Sequence, residues 1–131
     1  ITEQIVVEDE EAAVATLHDL ARRGIRVALD DYGTGFSSLQ RLKRLPLHTL
    51  KIDKDFVISL VSSRADAAIV RSTIDLCHQL GIQVVAEGVE DEAAMAMLRT
   101  FGCDIAQGYG ICRPVPLPRL APWLASWQTP A

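Results

Sequence analysis

The sequence predicts an α/β fold whose strands run parallel. Short β-branched runs alternate with longer amphipathic segments, and brief turns join them. Gly24 and Gly81 each follow a helical pattern and precede an apolar run, as expected where a helix ends and a strand begins. Strands joined by helices must be parallel, and right-handed crossovers curl such a sheet into either an open doubly wound sheet or a barrel.

The elements are expected in a regular order along the chain. Apolar periodicity predicts helices over about residues 9–23, 66–80 and 91–101, one that ends near Pro46 with Ser37 or Ser38 as its cap, and a short Trp-bearing helix in the proline-rich tail. Apolar and β-branched runs predict strands at the opening of the chain and over about residues 25–29, 49–53, 82–86 and 104–107.

Composition limits the classes of function. Of the 131 residues, 49% are hydrophobic, which is enough for a buried core. The net charge of −4 without a basic block argues against binding to DNA or RNA duplexes or to an anionic membrane, and no apolar run is long enough to cross a bilayer. We therefore expect a cytoplasmic segment.

Three scattered cysteines without a CxxC pair predict reduced thiols rather than a disulfide framework or zinc site. Because the chain begins with Ile1 and opens directly in an apolar stretch, we expect the natural chain to begin earlier.

Polar side chains recur where the predicted strands end. The carboxyl ends of parallel strands meet at one rim, which is where such folds place their sites. A single acidic residue there is more simply explained by solvation or helix capping, but repetition in every βα unit favours a site. Clustered carboxylates repel unless a divalent cation neutralises them, and oxygen ligands favour Mg²⁺ or Mn²⁺. The rim residues are Glu3, Asp30, Asp31, Asp53, Glu87 and Gln107.

Two short motifs refine this hypothesis. Asp30 and Asp31 would face opposite ways within a continuing strand, whereas a turn at the strand's end directs both inward, where they could serve two metals. Lys51 and Asp53 are two apart and share one face of their strand. They form either a structural ion pair or a functional pair in which Asp53 binds metal and Lys51 neutralises a phosphate or positions water.

The residues after the next strand admit alternatives as well. Glu87 is a candidate general base or a holder of metal-bound water, and Glu90 either braces the Asp31 loop or caps a helix. The sequence Gly33-Thr34-Gly35 lacks the GK[ST] of a P-loop and is interpreted mainly as a mobile loop.

Five segments, in order, resemble the second half of EAL domains, and together they cover nearly the whole chain. They read ITE, ALDDYGTGFSSL, TLKIDKDFV, VVAEGVE and GCDIAQGY. The resemblance implies a TIM-like (β/α) barrel, present here as an incomplete half-barrel over residues 1–131, and hydrolysis of cyclic di-GMP to linear pGpG with two Mg²⁺ or Mn²⁺ ions.

The resemblance also implies roles for individual residues. Glu3 and Asp30 would bind one metal, and Asp31 and Asp53 the second. Lys51 and Glu87 would handle the attacking water, and Gln107 would lie near substrate and water. Glu90 would tether the loop that couples the site to a dimer interface. That loop contains Gly33, Thr34, Gly35 and Ser37, and the region that would contact guanine contains Arg113 and Pro114.

The chain departs from the family pattern in its missing N-terminal half. The EAL tripeptide and an asparagine ligand from the following strand are absent. A complete barrel takes about 250 residues, so this chain alone is expected to be inactive and, because its sheet edges and inner face are exposed, to form at least a homodimer. Sensory or diguanylate cyclase domains are expected upstream in the parent protein, and a membrane anchor elsewhere in that protein is compatible with a cytoplasmic segment here. The alternatives are a non-enzymatic receptor for cyclic di-GMP or a protein partner, and an unrelated Mg²⁺ barrel enzyme of the enolase type.

Overall fold

In a computed structural model, the residues described are 1–2, 10–33 and 39–127. Within these ranges, four strands form one parallel sheet in the order β1-β2-β3-β4. The strands are β1 (Val27–Tyr32), β2 (Leu47–Ile52), β3 (Gln83–Ala86) and β4 (Ile105–Ala106). The helices are α1 (Glu10–Arg22), α2 (Leu39–Arg44), α3 (Lys54–Ile58), α4 (Arg64–Gln79), α5 (Glu92–Thr100) and α6 (Leu117–Ser126).

The first two residues extend the sheet beside β1. Thr2 forms a parallel bridge with Asp30, and the amide of Asp30 donates to the carbonyl oxygen of Ile1 at 2.6 Å. Neighbours in the sheet are thus consecutive along the chain, with at least one helix between each pair of named strands. Parallel strands joined in sequence by helices are the arrangement from which a (β/α) barrel is built.

The core lies between the sheet and its helices. Leu50 at the centre of β2 and Val84 of β3 are fully buried, and so are Val70 and Ile74 of α4. Burying side chains of this size stabilises the fold by about 1.5–3 kcal/mol each, which anchors the strands whose ends carry the polar residues.

Side-chain caps start several helices. Ser63 accepts a hydrogen bond from the amide of Asp66 at the start of α4, and Asp91 accepts one from the amide of Ala94 at 2.7 Å at the start of α5. These caps satisfy amides that have no partner within the helix. They fix where the chain leaves the strand ends and turns into the next helix.

The predicted elements within the described residues are confirmed, with shifted bounds, whereas the strand predicted at the opening of the chain lies outside the described residues after Thr2. Strand β1 begins two residues later than expected and extends to Tyr32, so that Asp30 and Asp31 lie within it. His48 lies in β2, and its Nδ1 is 3.4 Å from the amide nitrogen of Val27. Strand β4 pairs with β3 over two residues only, which are the whole length of β4.

Helix α6 contains Pro122 and has no buried residue. Its apolar side chains are exposed, Leu117 to 80% and Leu124 to 58%. The rings of Trp123 and Trp127 lie 5.1 Å apart. None of the helices formed by the described residues combines the length and apolar character needed to cross a bilayer.

Candidate active site at the carboxyl ends of the strands

Asp30 and Asp31 face the same region despite being adjacent in β1. Asp31 has a φ of 56°, a left-handed conformation that residues other than glycine rarely adopt, and the pairing register with β2 shifts between Leu29 and Tyr32. The irregularity interrupts the usual alternation of side chains. One carboxylate oxygen of each aspartate and one of Glu87 all lie within 4.8 Å of one another. The expectation that both aspartates point toward one site is therefore confirmed, but the cause is an irregularity within β1 rather than the predicted turn at the end of the strand.

Lys51 lies between carboxylates of the two flanking strands. Its Nζ is 2.8 Å from Oδ1 of Asp30 on β1, and it also forms an ion pair with Glu87, which follows β3. Lys51 pairs in register with Val85, two residues before Glu87. Lys51 does not form the alternative structural ion pair with Asp53; its ion pairs among the described residues are with Asp30 on β1 and with Glu87, which follows β3.

These contacts shift the ionisation of both partners. The hydrogen bond from Lys51 is the main cause that lowers the pKa of Asp30, against the opposing effect of its partial burial. Burial by itself would lower the pKa of Lys51, but the hydrogen bonds and charges of Asp30 and Glu87 outweigh it and raise that pKa. Lys51 is thus a fixed cation inside an acidic cluster.

Asp53 follows β2 and caps α3. Its Oδ1 accepts a hydrogen bond from the amide of Asp55 at 2.8 Å, and its own amide donates to the carbonyl oxygen of Tyr32 at 3.3 Å. Among the described residues, the carboxylates that lie close enough together to hold one ion are those of Asp30, Asp31 and Glu87. Asp53 is not part of this cluster. The capping role was not anticipated, although an acidic residue directly before a helical segment is its ordinary signal. Metal binding by Asp53 stays a prediction.

Gln107 joins the ends of β3 and β4. Its amide donates to the carbonyl oxygen of Ala86 at 2.8 Å, and its carbonyl oxygen accepts from the amide of Val89 at 3.0 Å. Gln107 lines a cleft of about 330 Å³ beside Glu87. The lining of this cleft consists of Lys54, Ile58, Glu87, Gly88, Glu90, Gln107, Gly108 and Tyr109. Neither Lys54 nor Tyr109 was among the predicted site residues, although both are close to them in sequence.

Glu90 is placed by a close packing of backbone segments. A Cβ atom added to Gly110 would lie 2.6 Å from the carbonyl carbon of Glu90, so only glycine fits there without movement. Glu90 also lines a second, larger cleft of about 650 Å³, which Arg99 and Trp127 border on the other side. Its predicted tethering of the loop stays a prediction, because Thr34, Gly35 and Ser37 lie outside the described residues. The predicted metal ligand Glu3 lies outside them as well.

Gly33 begins the predicted loop, and its conformation requires glycine. Its φ is 109°, and a Cβ atom at this position would overlap the ring of Phe56. Further along the chain, the guanidinium carbon of Arg113 lies 4.5 Å from the centre of the Tyr109 ring, a cation–π contact. Contact of Arg113 and Pro114 with a ligand stays a prediction.

The histidines have partners away from the acidic rim. His18 Nε2 lies 3.2 Å from the carbonyl oxygen of Arg44, and His78 Nε2 lies 2.9 Å from Oδ2 of Asp104 at the start of β4. The donor set at the rim is therefore composed of carboxylate oxygens, which suits a hard divalent cation.

Fold and site together define a partial parallel (β/α) barrel with a carboxylate cluster at the carboxyl ends of its strands. The EAL domain family matches residues 1–114, and the chain belongs to this family. Its four-stranded sheet is accordingly part of a TIM-like barrel.

Three relatives illustrate the similarity. The bifunctional diguanylate cyclase/cyclic di-GMP phosphodiesterase MucR of Pseudomonas aeruginosa is 42% identical over 120 residues, which are 92% of this chain and 18% of that protein. The structure of its phosphodiesterase with c-di-GMP has a TM-score of 0.85 at 42% identity, covering 92% of this chain and 49% of that one. The EAL domain of Mycobacterium smegmatis DcpA has a TM-score of 0.87 at 45% identity, covering 99% and 58%.

Klebsiella pneumoniae BlrP1 has been solved as a manganese and c-di-GMP complex. Its TM-score is 0.80 at 35% identity, covering 86% of this chain and 29% of that one. The chain therefore spans between 29% and 58% of these three solved chains, and under a fifth of MucR.

Proposed function

We propose that this chain is the C-terminal portion of an EAL domain and that the complete domain hydrolyses cyclic di-GMP to linear pGpG. The observation that carries the proposal is the cluster of Asp30, Asp31 and Glu87 around Lys51, within a family match over residues 1–114. Hydrolysis of a phosphodiester requires stabilisation of negative charge and activation of water, and this cluster suits both tasks.

The carboxylates fit a divalent metal, and we propose Mg²⁺ or Mn²⁺. The close oxygens of Asp30, Asp31 and Glu87 come from different strand ends, so they offer ligands from more than one direction. Asp53 and Glu3 are proposed to complete the set supplied by this chain. When bound, two such ions would stabilise the charge on the phosphate and lower the pKa of the attacking water.

The protein side chains are proposed to orient the substrate and the attacking water and to take a proton from that water. Glu87 and Lys51, already paired, would hold the attacking water by hydrogen bonds, and Glu87 is the group suited to receive its proton. Gln107 is tied by its backbone to the strand ends on either side and lines the same cleft as Glu87, which suits a side chain that orients substrate and water. Arg113 and Pro114 are proposed to contact guanine, and Glu90 to tether the loop that contains Gly33, Thr34, Gly35 and Ser37.

A test uses two polypeptides. The first is this chain alone, and the second is a hybrid in which it replaces the matching C-terminal half of the MucR phosphodiesterase domain, to which it is 42% identical. Each is incubated with cyclic di-GMP and Mn²⁺, and the linear product is separated by chromatography. Since a TIM-type barrel takes about 250 residues, we expect product from the hybrid and none from the chain alone.

The hybrid also tests the role of Glu87. Glu87→Ala should abolish product, whereas Glu11→Ala, which changes an exposed acidic residue of α1, should leave the rate unchanged. A folded hybrid that forms no product would contradict the proposed activity. If that hybrid still binds cyclic di-GMP, the chain belongs to a receptor instead.

A homodimer, cytoplasmic location and upstream sensory or diguanylate cyclase domains are proposed for the protein that contains this chain. Support for self-association comes from exposed apolar side chains at β4 and α6, where Ile105, Leu117 and Leu124 are 42%, 80% and 58% exposed. MucR, whose name joins a cyclase to a phosphodiesterase, supports the expectation of an additional domain.

A further inference from the structure

We propose that Lys54 is a ligand-binding residue that pairs with a phosphate of the nucleotide in the cleft beside Glu87. The inference rests on the proposed function for the identity of the ligand. It adds a residue to which neither the sequence motifs nor the carboxylate cluster assigns a role.

The position of Lys54 is fixed by close packing. It is the first residue of α3, and Asp53 caps that helix through the amide of Asp55. A Cβ atom added to Gly88 would lie 2.6 Å from Cβ of Lys54 and 3.2 Å from its Cα, so the glycine allows Lys54 to approach the segment that follows β3. Lys54 consequently lines the same cleft as Glu87 and Gln107.

Charge distinguishes Lys54 from its neighbours in the cleft. Among the described residues that line this cleft, Glu87 and Glu90 are the carboxylates and Lys54 is the one lysine or arginine. Lys51 already pairs with Asp30 and Glu87, so two of the three donors of its ammonium group are engaged. Among the described residues, no carboxylate lies within 4.0 Å of the Lys54 ammonium group, which is exposed.

An anionic ligand needs such a cation here. The chain has a net charge of −4, and the rim is acidic, so a phosphate entering the cleft meets repulsion unless a positive group offsets it. The cleft of about 330 Å³ is at the lower end of the range for small-molecule sites, which suits part of a nucleotide ligand rather than all of it. An ammonium on a flexible stem acts as a point charge toward phosphate oxygens.

The experiment measures binding of two probes to this chain by ligand-observed NMR titration. Cyclic di-GMP carries phosphates, and guanosine has the same base without one. Lys54→Met removes the charge and keeps the apolar stem, Lys54→Arg keeps the charge, and Lys43→Met changes an exposed lysine of α2 as the matched control. Circular dichroism confirms that each variant is folded.

We expect Lys54→Met to weaken binding of cyclic di-GMP about tenfold, the effect of losing a hydrogen bond to a charged group. Guanosine binding should not change, Lys54→Arg should retain most of the affinity, and the wild-type affinity should fall as salt is added. Equal affinities for Lys54→Met and Lys43→Met would overturn the role of Lys54 and leave the proposed function standing. Loss of affinity for both probes would overturn the phosphate contact. A wild-type chain that binds neither probe would overturn this inference, whereas formation of product by the hybrid decides the proposed function separately.

Discussion

Replacing Lys51 with methionine is expected to lower the free energy of unfolding by about 2 kcal/mol at pH 7. The side chains of Lys51, Asp30 and Glu87 are 25%, 38% and 19% exposed, which is between a surface and a buried environment. An exposed ion pair contributes about 0.2–1 kcal/mol, whereas removing one partner of a buried pair costs about 3–5 kcal/mol. Because solvent partly screens charges at this exposure, we expect the free energy lost with both ion pairs to lie between these limits.

The dependence of this loss on pH follows from the pKa shifts. The pKa of Asp30 is lowered in the folded state, so its pairing with Lys51 stabilises the fold above the unfolded pKa of about 3.9 and is lost as pH falls through the folded value. The pKa of Lys51 is raised, so the same pairing persists at neutral pH and is lost only as pH rises through the raised value. Wild type and variant should therefore differ most near neutral pH and converge below about pH 4.

Urea unfolding at pH 7, 5 and 3, followed by circular dichroism, measures the difference, with Lys43→Met as the control for loss of a surface lysine. Addition of Mn²⁺ should stabilise Lys51→Met, because a cation again offsets the charges of Asp30, Asp31 and Glu87. If Lys51→Met unfolds at the same urea concentration as Lys43→Met at pH 7, Lys51 does not neutralise the cluster, and the electrostatic reasoning fails.

Other predictions test packing, burial and assembly. Gly88→Ala should destabilise the chain by about 1–2 kcal/mol more than Gly81→Ala, since the two glycines have φ values of 71° and 72° but only Gly88 faces Lys54; equal urea midpoints would contradict this. Burial raises the pKa of Cys77 to about 11, so iodoacetamide at pH 8 should alkylate the partly exposed Cys112 first. Mass spectrometry measures the order of modification. Early modification of Cys77 in the folded chain would refute its burial. Light scattering at micromolar concentration should give at least a dimeric mass, because β4 and α6 expose apolar side chains; a stable monomer would contradict this expectation.

Much of the fold was predictable from local pattern. Helix α4 follows from its apolar stripe and from Gly81, and the structure ends it at Gln79, one residue before the expected bound. Strand bounds were less accurate. The pattern ended the second strand of the sequence at Leu29, but pairing with β2 extends β1 through two aspartates to Tyr32. Which residues pair across a sheet depends on the neighbouring strand, and periodicity within one segment does not contain that information.

The candidate site was predictable in place but not in its contacts. The carboxyl ends of parallel strands predicted where Asp30, Asp31 and Glu87 meet, and the structure confirms it. The partners of Lys51 were not predictable, because spacing along one strand suggested Asp53, whereas register brings in residues of the strands on both sides. The role of Asp53 as a helix cap depends likewise on the short helix α3, which was not among the helices predicted from the sequence.

Asp31 has a disfavoured backbone conformation at a position where its carboxylate could bind a cation. A left-handed residue other than glycine is disfavoured by about 1–2 kcal/mol, and bringing its carboxylate near Asp30 and Glu87 adds repulsion. Lys51, which pairs with Asp30 and Glu87, offsets part of this repulsion. Asparagine at position 31 would tolerate the same backbone without the charge. Asp31→Asn should therefore leave the chain equally stable or more stable while weakening its affinity for Mn²⁺. That combination separates a residue selected for binding a cation from one selected for folding.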